Sequence, residues 1–378
     1  MSKSTIYIHV GYRKTGSSYI QTSLALSKEL LFAQDFQYPI DQLRYKKAIN
    51  HEITAGNLVS PVHSVADFLK FEKICKPNLI ISSETLFKDL FQQGILDNLL
   101  KVFPKSTIKI LLFIRDPIEH ALSAYHQNIK SEGKVYTIEE FLSSYEPLGY
   151  LPAFLDTARE KNITLDILNY SRHKHKLIVC IEDWLGLKRD TLKRPRVKRI
   201  NRSLTASELA FQKAFNSQKV GTGTMISNAL CEHLPHIRHE TPFISKDCLY
   251  QFAARMQEQI SELNKKIPVA EHFRIETDFD KYPENSPQPA AHSYTFSEQQ
   301  LAVLATSICS ELKMLEGKIL TQRAEKYIAL FDHDLASQNN ERIARYFNLA
   351  LSLLEELTNH PLLYNQLADR IIAAQTNS

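Results

Sequence analysis

The sequence predicts an α/β fold: a parallel sheet flanked by helices, followed by a largely helical C-terminal part. Three observations carry this. Short apolar β-branched runs alternate with helical patterns over residues 1 to about 200. One of those runs, "IKILLFI" at Ile108–Ile114, is apolar throughout, as expected of a strand buried on both faces. Beyond about residue 205 the strand pattern stops and helical spacing dominates. Alternation of strand and helix is the signature of parallel strands joined by helical crossovers.

The first strand is Thr5–Val10, with Ile6, Ile8 and Val10 apolar. Gly11 ends it, and from Ser17 the pattern turns helical through Tyr19, Ile20, Leu24 and Ala25. The turn between them, "GYRKTGSS", places Lys14, Thr15, Ser17 and Ser18 at a helix N-terminus. Unpaired amides and the helix dipole make such a place an anion site, to which Lys14 adds a charge and the hydroxyls add donors. The spacing is not that of a Walker A loop, because Lys14 precedes Gly16 rather than following the second glycine. An ordinary βα turn with an exposed lysine is the simpler alternative.

The next strand is "NLIISSE", Asn78 to Glu84, followed by a helix over about Gln92–Val102. The strand Ile108–Ile114 ends in "RDPIEHALSAYHQ". There Asp116 is placed to cap a helix, Pro117 fits its first position and Glu119 completes a capping-box pattern. A fourth strand is read at Ile163–Leu168, and Leu177, Ile178, Ile181, Trp184 and Leu185 as one face of a helix. If the strands are parallel and adjacent, Lys14, Glu84 and Arg115 face one crevice beyond their carboxyl ends. Ser123, two turns into its helix, could share an anion with Arg115.

At these residues the sequence resembles a family. "VGYRKTGSS", "ISSE" and "RDPIEHALSAYH" look like the signatures of sulfotransferases that use 3′-phosphoadenosine 5′-phosphosulfate, PAPS. The first is similar to the family's 5′-phosphosulfate loop. The third is similar to its 3′-phosphate element, an arginine at a strand end with a serine eight residues on. The resemblance covers residues 5 to about 130, is fainter to about 205 and weak beyond. It implies a P-loop-like sheet and a donor, PAPS, held by Arg13, Lys14, Thr15, Gly16, Ser17, Ser18, Arg115 and Ser123. It implies Lys14 and Glu84 as catalytic residues: Lys14 stabilising the leaving phosphate oxygen, Glu84 taking the acceptor's proton. His126 and His9 are the rival bases, and Glu84 has a structural alternative as a cap or a partner of Lys14. No metal is expected. The product would be adenosine 3′,5′-bisphosphate and the acceptor a hydroxyl on a carbohydrate or glycolipid. A nucleotide kinase or ATPase with a divergent loop, and a non-catalytic binding protein on the same fold, are the competing readings.

Composition sets the remaining bounds. The 378 residues are 43% hydrophobic and carry a net charge of +4, which implies no nucleic-acid partner. Five cysteines, at 75, 180, 231, 248 and 309, form no C-x-x-C pair and read as reduced thiols without a structural zinc site. No apolar run reaches the roughly 20 residues of a membrane span. A start that runs directly into a strand, without a signal-peptide core, is expected of a cytoplasmic protein. Lys188–Arg202 holds eight basic residues and one acid: a solvated loop, a flap over the 3′-phosphate or a contact to an acidic acceptor. Thr205 with Glu208 forms a capping-box pattern, and Leu204 with Leu209 a hydrophobic staple. The expected organisation is a donor-binding core at 1–205, accessory helices and loops at 206–316 and a helical extension at 317–378, the last read as three helices with turns at "QNN" and "NHP". Its helices could serve homo-oligomerisation.

Overall fold

The computed structural model describes residues 4–12, 14–52, 54, 56–58, 74–84, 86–92, 94–146, 148–196, 202–218, 224–238, 240–279 and 294–336, with isolated positions thereafter. Arg13, the Pro-rich loop around residues 281–293 and the expected turns at 338–340 and 359–361 lie outside them.

The chain begins with strand β1 (Thr5–Gly11) and helices α1 (Ser17–Leu26) and α2 (Lys28–Ala33). Then come the short β2 (Phe36–Gln37), α3 (Gln42–Ile49) and β3 (Asn78–Ser83). Next are α4 (Leu86–Gln92), α5 (Ile95–Val102), β4 (Thr107–Ile114), α6 (Pro117–Glu132), α7 (Ile138–Ser144) and α8 (Leu151–Glu160). The last strand, β5 (Thr164–Asn169), is followed by α9 (Tyr170–His173) and α10 (Leu177–Leu185). Four α-helices follow: α11 (Ala206–Gln218), α12 (Thr224–His233), α13 (Lys246–Asn264) and α14 (Glu298–Ala336). The chain divides into two compact units, Met1–Ser297 and Glu298–Ser378.

All five strands run parallel, in the order β2-β3-β1-β4-β5. Side chains alternate across each strand, so the sheet feeds two cores. Ile6, Ile8 and Val10 of β1 join Leu79 and Ile81 of β3 and Ile108, Ile110, Leu112 and Ile114 of β4 on one face, under α4 to α8. Tyr7, Ile80, Leu111 and Phe113 face the other way and pack with Ile20 and Leu24 of α1 and Leu177, Ile178 and Ile181 of α10. The near-continuous apolar reading of β4 follows from this two-sided burial. His9 takes an inner position too. Its Nδ1 lies 2.8 Å from Ser82 Oγ and its ring is edge-on to Phe113. Burial pushes its pKa down to about 3, so it stays neutral.

From β1 the chain leaves toward the β2–β3 side, and from β4 it leaves toward β5. The C-terminal ends of β1 and β4 therefore flank a topological switch point, where open α/β sheets bind ligands.

Two capping expectations came out differently. Thr205 and Glu208 form the expected box: Glu208 accepts from Thr205 N at 2.9 Å, and Glu208 N donates to Thr205 Oγ1 at 3.3 Å. Leu204 and Leu209 are both buried in one core cluster. At α6 the expected box does not form. Asp116 makes no side-chain cap bond; its Oδ1 accepts from Asn169 Nδ2 at 2.8 Å and Arg274 N at 3.0 Å. Glu119 points to Ser171, Lys174 and Arg115. Tertiary donors out-compete the local ones because they come from segments already packed across the sheet's carboxyl edge.

Candidate active site

The loop between β1 and α1 is built by backbone constraint. Lys14 sits at φ +58 and Gly16 at φ +81, both in the left-handed region. A side chain at Gly16 would also collide, its Cβ 2.7 Å from Leu177 Cδ1 and 2.9 Å from Tyr170 Cε2. Only glycine fits there on both counts. Gly11 has a second role: a Cβ on it would lie 2.2 Å from Ser17 Oγ, so its absence lets Ser17 fold over the strand end.

This loop has donors to spare. Gly16 is the N-cap of α1 and gives no side-chain cap bond. Thr15 and Ser17 are buried, yet neither hydroxyl has a hydrogen-bond partner among the described residues. Buried hydroxyls are seldom left unpaired. Two of them beside a helix N-terminus fit an anionic group such as a phosphate or sulfate. Ser18, half-buried, lies in the first turn of the same helix.

Lys14 reaches across the crevice, its Nζ donating to Gln127 Oε1 of α6 at 3.0 Å. Its pKa is lowered to about 8. Burial is the main cause, Lys130 and Arg115 push the same way, and Glu84 and Cys231 oppose them. The ammonium is thus a partly desolvated cation among like charges, and an incoming anion would relieve it. Glu84 follows directly on β3, is half-buried and lies close enough for its charge to support that of Lys14.

Arg115 follows β4. Its NH1 donates to the Lys14 carbonyl oxygen at 2.8 Å, its Nε lies 3.6 Å from Glu119 Oε2, and its guanidinium stacks 5.1 Å over the Tyr170 ring. Glu119, Ser123 and Gln127 are spaced four apart and form one stripe along α6. Ser123 therefore stands between the carboxylate paired with Arg115 and the amide holding Lys14. The structure brings Lys14, Thr15, Gly16, Ser17, Ser18, Glu84 and Arg115 to the same carboxyl edge of the sheet, with Ser123 on the α6 stripe between Glu119 and Gln127. His9 is inside the core below it. His126 is buried with its ring against Tyr125.

Three neighbours of Lys14 were not legible beforehand. Gln127 is visible only once α6 is known to run back past the loop. Lys130 is a buried lysine whose Nζ lies 3.1 Å from Cys231 Sγ and 3.4 Å from the Arg202 carbonyl oxygen. Cys231 belongs to α12, 101 residues from Lys130 in sequence, which no local pattern could have linked.

The basic stretch resolves in part. Lys193 is tied through its backbone to α1, accepting from Ser23 Oγ and donating to Ser27 Oγ, both at 2.7 Å. Arg202 is fully buried, bonded at 2.7 Å to each Glu208 oxygen and also to the carbonyls of Ser203, Leu230 and Leu234. That guanidinium is a core strut with all its donors used, and it leaves none for a ligand.

No protein-family model matches the sequence, and no curated protein matches it significantly. Among the described residues no helix is long and apolar enough to cross a membrane, and no group of three or more His, Cys, Asp or Glu is placed to hold a metal ion.

Proposed function

We propose that the protein is a PAPS-dependent sulfotransferase on a P-loop-like fold, acting in the cytoplasm on a hydroxyl of a carbohydrate or glycolipid. The observation that carries this is the pair of anion-competent places at the ends of neighbouring strands: unpartnered Thr15 and Ser17 hydroxyls at β1, and Arg115 at β4. A donor with two separate anionic ends requires two such places, whereas a single phosphate tail requires one.

PAPS, when bound, supplies an activated sulfuryl group. Thr15, Ser17, Ser18 and the amides opening α1 would hold its 5′ end, and Arg115 with Ser123 its 3′-phosphate, through charge-assisted bonds. Lys14, poised on Gln127, would neutralise charge growing on the leaving phosphate oxygen. Glu84 would accept the proton of the attacking hydroxyl at one of its carboxylate oxygens. Its place at the end of β3, on the far side of β1 from Arg115, leaves the acceptor its own side of the crevice. Positioning and charge neutralisation are what such an in-line transfer asks of a protein.

Calorimetric titration with adenosine 3′,5′-bisphosphate and with adenosine 5′-monophosphate tests the reading. The bisphosphate should bind more tightly, and Arg115→Ala should remove most of the difference, about 1.5–3 kcal/mol for a hydrogen bond to a charged group. Equal binding of the two nucleotides to the unmutated protein would overturn the assignment.

A further inference from the structure

Helix α14 runs for 39 residues and is apolar on more than one side. Leu304 and Leu320 are buried. A second stripe is not: Leu301, Leu312, Leu315 and Ile319 are 53%, 59%, 45% and 51% exposed, with Ala305 exposed and Ile308 half-buried between them. The six are spaced 4-3-4-3-4, a strict heptad seam with Leu301, Ile308 and Leu315 at d and Ala305, Leu312 and Ile319 at a. Continued in either direction, the pattern meets Glu298, Gln322 and Lys326, so the seam has polar ends and a length of roughly 27 Å at 1.5 Å per residue. Exposed apolar seams of this kind are interaction surfaces.

We infer that this seam pairs with the same seam of a second copy of the chain, as an antiparallel two-helix coiled coil that makes the protein a dimer. The spacing reads the same in both directions about residue 310. An antiparallel copy therefore sets Leu301 against Ile319, Ala305 against Leu315 and Ile308 against Leu312, twice over, which is what a two-fold interface requires. The small Ala305 meets a large leucine each time. The flanking charges choose the direction. Parallel pairing would bring Glu311 to Glu316 and Lys318 to Arg323 of the partner, four like-charge approaches in all. Antiparallel pairing leaves one Glu311–Glu311 approach and sets Glu298 near Arg323 at each end. It also carries Cys309, exposed and at an e position, to its counterpart across the two-fold axis, whereas parallel pairing puts the two on opposite flanks. The dimer is independent of the chemistry proposed at the sheet edge.

The experiment uses the full chain with Cys75, also exposed, changed to serine. Light scattering after size exclusion should give a dimer, and a short bis-thiol reagent should cross-link it through Cys309, with the product lost in Cys309→Ser. Leu312→Glu should raise the dimer dissociation constant by about a hundredfold or more, because two charges then enter the seam. Met314→Glu, exposed on the opposite side of α14, should leave the dimer intact. Circular dichroism of both variants checks that the helix persists. A monomeric protein, or a dimer indifferent to Leu312→Glu, would overturn the seam. A dimer that Leu312→Glu dissociates but that does not cross-link at Cys309 would overturn the antiparallel direction.

Discussion

The two ends of the crevice are furnished in opposite ways. At the end of β1, Thr15 and Ser17 hold hydroxyls that no other described residue uses, and Gly16, the N-cap of α1, gives no side-chain cap bond. At the end of β4, Arg115 already binds the Lys14 carbonyl, faces Glu119 and stacks on Tyr170, while Asp116 is bonded to Asn169 and Arg274. An anion at the first end adds bonds to groups that lack them. An anion at the second must share or displace bonds that exist. The β1 end is preorganised for charge, and the β4 end trades some affinity for a guanidinium fixed in place.

The largest effect should come from Lys14, which joins the two ends. Lys14→Ala should lower turnover by about 10²–10³-fold, as removal of one oxyanion-stabilising donor does. Affinity for adenosine 3′,5′-bisphosphate should fall far less, because the Thr15 and Ser17 hydroxyls and Arg115 remain. Equal losses in steady-state rate and in calorimetric affinity would make Lys14 an anchor and erase the distinction between the ends.

Glu84→Gln should follow, with transfer to the acceptor reduced by about 10²-fold and bisphosphate binding unchanged. A glutamine variant of near-normal rate would move the base elsewhere. His9 is a poor substitute, because burial keeps it neutral and holds it inside the core.

The third effect is on pH. With its pKa lowered to about 8, Lys14 is charged below that value and neutral above it. Bound anion favours the charged form, so above pH 8 the free protein must take up a proton to bind. Affinity for the bisphosphate should fall as the pH rises through about 8 and then level off near the affinity of Lys14→Ala. Lys14→Arg, charged throughout, should flatten the curve. A curve that is flat for the unmutated protein would mean that the Lys14 charge does not face the ligand.

The smallest change expected is a gain. Glu119→Gln removes the carboxylate that competes at Arg115, and bisphosphate affinity should rise by a few-fold, in keeping with the modest strength of a half-exposed ion pair. No change would show that Arg115 is not restrained by Glu119, and a loss would show that Glu119 orients it.

Much of the sheet was legible because each strand's burial is written in its own residues. β1, β3, β4 and β5 lie within a residue or two of where the apolar runs placed them. The short β2 and helix α4 were not expected; two residues of strand carry too little periodicity, and the seven residues Leu86–Gln92 make only about two turns of helix. The strand-loop-helix arrangement around Lys14 was legible too, since it needs only a strand, a glycine and a helix start in sequence order.

What the sequence alone determined, then, was features set within a few residues of chain: the strand runs and the Thr205–Glu208 box. What the tertiary structure decided was who bonds to whom across the sheet. Asp116 has the residue type and position of a helix cap, yet Asn169 and Arg274 claim it. Arg202 has the composition of a flexible basic loop, yet Glu208 and three carbonyls bury it. Lys14 has the position of a phosphate ligand, yet its pKa depends on Lys130 and Cys231, which only α6 and α12 bring near. The reason is the range of the forces. Backbone sterics and side-chain periodicity act over a few residues, whereas desolvation and Coulomb interactions depend on whatever packing brings within a few ångströms.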